Sequence, residues 1–201
     1  VDYNHEDLAG NIWANENEIP DNGIDDDYNG YIDDARGWDF AYSDNNPMDV
    51  YGHGTHVAGT IAAMGNNAQG VIGVAPWAKI MAVKGADDSG FGFSDGMAQA
   101  VKYSANNGAG VLNNSWGGRG ISQALTDAFH YAYYKGSVAI AGAGNDNSDM
   151  KDFSPANIDV VIAVAAIDHN DQRSIWSISN DLASNYGTLI SVAAPGGGDP
   201  L

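Results

Sequence analysis

From residue 79 onward the chain alternates short apolar runs with helix-forming stretches, and this alternation narrows its fold more than any other feature. Residues 79–83 read as a strand, Ser94 can cap a helix running to about Asn106, and residues 110–114 form the next strand. Ser122 can cap another helix, in which Leu125, Ala128, Phe129, Ala132 and Tyr133 make one apolar stripe and Gly136 supplies the stop. Residues 137–141, 159–164 and 189–193 are short apolar runs suited to buried strands. Such alternation predicts an α/β fold of three layers, a mostly parallel sheet with helices on both faces. At 201 residues and 44% hydrophobic content one core, and so one domain, is expected; there is no internal repeat and no linker.

In an open parallel sheet, ligands gather at the carboxyl ends of the strands. The loop after the 137–141 run reads Gly142-Ala143-Gly144-Asn145-Asp146. A strand followed by Gly-x-Gly suits a dinucleotide, but that fingerprint needs a third glycine opening a helix. Here Asn147, Ser148, Asp149 and Asp152 follow without a helical stripe, and their acids would repel a pyrophosphate. An oxidoreductase reading is therefore disfavoured.

A second stretch, YGHGTHVAGTIAA at residues 51–63, sets a histidine between glycines at the mouth of a small-residue helix. Val57, Ala58, Ile61 and Ala62 recur at helical spacing, and Gly59 and Ala63 would let another backbone come close. His53, in the first turn, could be held rigidly with its ring toward a cleft, as a general base requires; a satisfied buried histidine is the plain alternative. His53 and His56 share a helix face, but no glutamate lies between them and no third ligand is evident, which argues against zinc.

Taken whole, this string resembles the histidine motif of the subtilisin-like serine proteases, the subtilases. The resemblance implies that His53 is the catalytic base, that His56 is structural, and that Asn145 donates its amide to the oxygen of a tetrahedral intermediate. It further implies that Gly142, Ala143 and Gly144 line the pocket for the residue before the scissile bond. Ser115-Trp116-Gly117 and Gly90-Phe91-Gly92 would hold an extended peptide from its two sides as an added strand. Read without the family, Trp116 is better taken as a core residue, and Gly90 with Gly92 as a turn. Residues 153–156 and 193–196 also match subtilase landmarks. The opening VDYNHEDL resembles the stretch that follows the catalytic aspartate, and no Gly-Thr-Ser-Met nucleophile segment occurs in the 201 residues. A subtilase catalytic domain truncated at both ends, and inactive by itself, is the expectation; a non-catalytic peptide-binding homologue is the alternative.

Residues 16–36 have neither helical nor strand period, only acids and glycines in alternation. Asp25, Asp27, Asn29 and Gly30 occupy positions one, three, five and six of an EF-hand-like loop, with the Tyr31 carbonyl and Asp33 at seven and nine. Crowded carboxylates call for a hard dication, so calcium is expected, against the alternative of a solvated acidic loop. The twelfth position, normally glutamate, is Arg36; Asp34 or Asp21 could substitute. Asp7 matches a position at which many subtilases supply a carboxylate to calcium, and is otherwise a surface acid. In the family the loop near residues 65–70 meets that same ion.

Eight Lys and Arg against 26 Asp and Glu, a formal charge of −18, disfavour nucleic acid and anionic membranes and attract calcium. Zero cysteine excludes disulfides and a thiol nucleophile. No apolar run is long enough to span a bilayer, and Val1 opens within a motif rather than on a leader. The resemblance implies a secreted monomer acting on polypeptides.

Overall fold

A computed structural model describes residues 1–198. The chain forms two compact units, Val1–Asn107 and Gly108–Leu201, each treated by itself.

In the first unit β1 (Gly37–Asp39) pairs in parallel with β2 (Ala82–Lys84), Gly37 opposite Ala82. A side chain at residue 37 would run into the Ala82 carbonyl, and φ is +128° there, so glycine is required. Helix α1 (His53–Ala62) buries Ala58 and Ala62, and α2 (Ser94–Asn106) packs on β2 and buries Met97, Val101 and Tyr103. The β2 strand starts later than residues 79–83 suggest. Ile80 makes only an isolated parallel bridge to Ile12, while Lys79 sends its ammonium to the Gly10 carbonyl at 2.6 Å. Ser94 is the first helical residue rather than the cap: Phe93 is the N-cap, its carbonyl accepting from Met97 N at 3.0 Å, and no side chain caps this end.

In the second unit, four parallel strands lie in the order β10 (Val192–Pro195), β7 (Val161–Ile167), β5 (Val138–Gly142), β3 (Val111–Asn114). Alanines at 139, 141 and 163 are buried in it, and small side chains there admit α3 (Gln123–Tyr134) against β5. Ser122 caps α3, its Oγ accepting from Leu125 N at 3.4 Å; Leu125, Ala128, Phe129 and Ala132 are buried as the stripe demands, whereas Tyr133 is exposed. Gly136, at φ +94°, follows the helix. Strand β7 begins two residues after the apolar run does, because a turn closed by Val161 N to Ile158 O takes up Asp159 and Val160. Two short antiparallel pairs complete the unit, β4 (Gly118–Arg119) with β6 (Phe153–Ser154) and β8 (Ile175–Ser177) with β9 (Leu182–Ala183).

Candidate active site

His53 is the first residue of α1 and is exposed, its imidazole making no hydrogen bond among the described residues. The helix beneath it is fixed at both ends. Asp49 accepts from Gly52 N at 2.8 Å, Thr55 N at 2.8 Å and Thr55 Oγ1 at 2.6 Å, so the N–H of the N-cap Gly52 and one orphan donor of the first turn are satisfied. At the other end the carbonyls of Thr60, Ile61 and Ala63 accept from the backbone of Val74, Ala75 and Gly73. Gly73 permits this: a Cβ there would stand 2.5 Å from the Ala62 and Ala63 nitrogens. The close backbone approach expected at Gly59 is thus made at Gly73 instead; nothing lies within 4 Å of a Cβ at Gly59. His56 is exposed too, one turn on.

Residues 90–92 leave a tight turn over residues 87–91 in the same unit. Asp87 Oδ1 accepts from Ser89 N and Phe91 N, and Gly90 N donates to the Asp87 carbonyl. Gly90 has φ +84°, and Gly92 is pressed against the Gly85 carbonyl and Met97. Their glycine character therefore serves the turn and its packing, while Phe91 stands 75% exposed above it.

The second unit carries a cleft of about 310 Å³ at the carboxyl ends of its four parallel strands. Ser115, Gly142, Ala143, Gly144 and Asn145 line it together, so these five expected site residues converge. Trp116 and Gly117 are not among its lining. Trp116 tilts against Phe129 of α3 with ring centroids 6.3 Å apart, and Gly117 approaches the Ser154 carbonyl. Two residues escaped the sequence reading. Trp176 lines the cleft. Asn185, 0% exposed, clamps the segment that carries Asn145: its Nδ2 donates to Ala143 O at 2.9 Å, its Oδ1 accepts from Asp146 N at 2.9 Å and Ser148 N at 3.0 Å, and its own N–H donates to Gly144 O at 2.8 Å. Gly144 has φ +101°, and a Cβ there would overlap the Asn185 amide.

The acidic loop is ordered by its own hydrogen bonds. Asp25 accepts from Asn29 N and Gly30 N, and Asp33 from Asn22 N and Gly23 N, so these two carboxylates point to separate backbone turns. Asn29 receives the Tyr31 N–H on Oδ1 and donates its amide to Asp27 and Asp34. Of the expected ligand set only Asp27 joins a convergent group, with Glu18 and Asp34, one oxygen from each lying within 4.8 Å of the others. Burial raises the Glu18 pKa. Arg36, at the twelfth position, turns away over the Tyr3 ring at 5.2 Å. An all-oxygen anionic set suits a hard dication such as calcium. Asp7, 2% exposed, meets the 66–71 loop directly: Val71 N at 2.9 Å and Asn67 Nδ2 at 2.7 Å hydrogen-bond its carboxylate and lower its pKa.

The Subtilase family model matches residues 1–199. A "Thermophilic serine proteinase" of Bacillus sp. (strain AK1) is 40% identical over 196 residues, covering 98% of this chain and 41% of that protein. "Thermitase" of Thermoactinomyces vulgaris is 38% identical over 196 residues, covering 98% and 60%. Among solved structures, a cold adapted subtilisin-like serine proteinase superposes with a TM-score of 0.74 at 31% identity, covering 98% of this chain and 59% of the other. The chain spans about half the length of the relatives it matches, and over that span its α/β fold is the subtilisin-like one. With its histidine motif opening a helix and its Gly142–Asn145 segment at the sheet's carboxyl end, the chain belongs to the subtilase family.

Proposed function

We propose that the protein containing this chain is a secreted, monomeric serine endopeptidase that cleaves polypeptides through an acyl-enzyme. The observation that carries this reading is the cleft, where Asn145 stands beside Gly142, Ala143, Gly144 and Ser115 at the strand ends. His53 takes the proton of a serine hydroxyl as its oxygen bonds to the substrate carbonyl carbon, then delivers that proton to the departing amine; water repeats the sequence on the ester. The Asn145 side-chain amide donates to the oxyanion formed in each half. Gly142 to Gly144 accommodate the side chain before the cut. Segments 115–117 and 90–92 offer backbone to an extended substrate, and Phe91 offers it an apolar face.

The two units are taken as parts of one catalytic domain, with the acidic loop at 16–36 an insertion that binds calcium structurally, and Asp7 a further carboxylate toward calcium. The charge of −18 makes nucleic acid and anionic membrane poor partners. No helix among the described residues is long and apolar enough to cross a membrane.

A fluorophosphonate probe tests the assignment. This chain, which contains no match to the serine segment, is expected to stay unlabelled. A polypeptide that adds the aspartate and serine segments is expected to label, and to lose labelling when His53→Ala is introduced. Labelling of the present chain would mean the nucleophile lies elsewhere, and an unlabelled extended polypeptide would favour a peptide-binding homologue.

A further inference from the structure

We infer that the Asn107–Gly108 peptide, where the chain passes from its first compact unit to its second, is a site of spontaneous deamidation and main-chain isomerisation, with water the only co-reactant. Gly108 N, once its proton has gone to hydroxide, bonds to Asn107 Cγ. The Cγ–Nδ2 bond breaks and that nitrogen leaves as ammonia, taking a proton from water and closing a five-membered succinimide. Water then adds to one of the two ring carbonyls. Breaking the new N–Cγ bond leaves an ordinary aspartyl peptide; breaking the original peptide bond leaves isoaspartate, with the main chain running through Cγ.

Three Asn-Gly pairs occur in the sequence, at 22–23, 29–30 and 107–108, and in each the glycine leaves the attacking nitrogen unhindered. Two of them are locked within the acidic loop. Gly23 N donates to Asp33 Oδ2 at 3.0 Å and Gly30 N to Asp25 Oδ2 at 2.9 Å. A carboxylate in that position holds the proton on nitrogen and repels the anion that must form. Their amides are fixed as well. Asn22 donates to Asp26 at 2.7 Å and accepts from Ile24 N at 2.7 Å. Asn29 donates to Asp27 at 3.2 Å and Asp34 at 3.0 Å, and accepts from Tyr31 N at 2.8 Å.

Asn107 is held far less. It is the C-cap of α2, at φ −85° and ψ 15°. Its Nδ2 makes one long bond, 3.2 Å to the Tyr103 carbonyl, which already accepts from Asn107 N. Among the described residues its Oδ1 accepts no hydrogen bond and Gly108 N donates none. Gly108 is exposed, at φ +77°, with nothing within 4 Å of a Cβ, so the peptide can turn without displacing a neighbour. Attack requires the Asn107 ψ to leave the helical region, a motion that the fraying end of a helix makes readily. Exposure alone would select Asn22, which is exposed where Asn107 is half-buried; hydrogen bonding selects Asn107.

The products differ from the parent in two ways. A carboxylate cannot donate to the Tyr103 carbonyl, and it sets negative charge at the negative end of the α2 dipole. Isoaspartate also lengthens the main chain by one methylene at the peptide that joins the two units.

The full chain is held folded in alkaline buffer, and a second sample in denaturant at the same pH. Trypsin releases the peptide between Lys102 and Arg119, which separates Asn107 from Asn22 and Asn29. Fragment mass spectrometry locates each amide-to-acid conversion, and an isoaspartyl methyltransferase counts the isomerised product. In the folded chain Asn107 is expected to convert at least about tenfold faster than Asn22 or Asn29, which react only through local opening. In denaturant the three are expected to converge within about threefold, because only the shared Asn-Gly chemistry remains. Asn22 or Asn29 matching Asn107 in the folded chain, or Asn107 converting only in denaturant, overturns the assignment. A lead of Asn107 that persists undiminished in denaturant also overturns it, by placing the preference in neighbouring sequence rather than in the fold.

Discussion

Asp49 Oδ2 accepts two hydrogen bonds from Thr55, one from its backbone N–H at 2.8 Å and one from its hydroxyl at 2.6 Å. One carboxylate thereby fixes the first turn of the helix that begins at His53. Burial alone would raise the Asp49 pKa, but the bonds from Thr55 Oγ1, Gly52 N and Thr55 N outweigh it and bring it to about 2 from 3.8. A carboxyl whose folded pKa is depressed contributes stability that is complete above its unfolded pKa and is lost as pH falls through the folded one. After discounting for its solvent exposure, the contribution is about 1 kcal/mol. Asp49→Asn is therefore expected to lower the melting temperature at neutral pH, with the gap to the unaltered protein closing between pH 4 and pH 2. A gap that stays constant over that interval, in melts followed by circular dichroism, would show that the carboxylate charge is not what holds the turn.

Asn145 is exposed at the cleft, and its side chain makes no hydrogen bond among the described residues, so its removal leaves the fold little to lose. In a polypeptide with the complete catalytic set, Asn145→Ala is expected to lower kcat by about 10²–10³-fold with KM nearly unchanged. Steady-state kinetics on a chromogenic peptide read this directly; a loss confined to KM would make Asn145 a ground-state contact.

Asn185 is hydrogen-bonded to the segment that carries Asn145. Asn185→Ala would strand the amides of Asp146 and Ser148 and the carbonyl of Ala143, at a cost of about 2–4 kcal/mol. Because the slack falls on the 143–148 segment, kcat is expected to drop with little change in KM, even at temperatures where the variant is fully folded. A variant that melts earlier yet keeps its kcat would make Asn185 purely a packing residue.

Among the described residues no charged side chain lines the cleft, whose walls are Gly, Ala, Val, Ile, Pro, Trp, Ser and Asn. Peptides with phenylalanine or leucine before the cut are expected to exceed those with lysine or arginine in kcat/KM. A library profile dominated by basic residues at that position would remove Gly142 to Gly144 from the pocket.

The α3 stripe, its Ser122 cap and the carboxyl-end loops were legible because each is written in local spacing: an apolar period, a capping hydroxyl, glycines after an apolar run. Register was less so. The run beginning at Asp159 looked like strand throughout, but a hydrogen bond from Val161 N to Ile158 O spends two of its residues on a turn. Phe93 rather than Ser94 is the N-cap of α2, because the carbonyl that starts the helix, not the hydroxyl beside it, sets the boundary. Glu18 fell outside the reading since it precedes the repeat of acids, and only the fold of the loop returns it to Asp27 and Asp34. Asn185 carries no sequence signal beyond a polar residue before Tyr-Gly, while its role depends on partners some forty residues away.

The loop from Asn66 to Gly70 bears on how long such a chain survives among proteases. A protease binds its target as an extended strand. Asn66, Ala68 and Gly70 all have positive φ, and the neighbouring Asn67 and Val71 are tied to Asp7. Exposed though it is, this loop cannot lie down in a proteolytic cleft until Asp7 lets go and three left-handed residues rotate. Cleavage there is gated by a local opening, and the persistence of the molecule in a hostile medium is set partly by one buried carboxylate near its beginning.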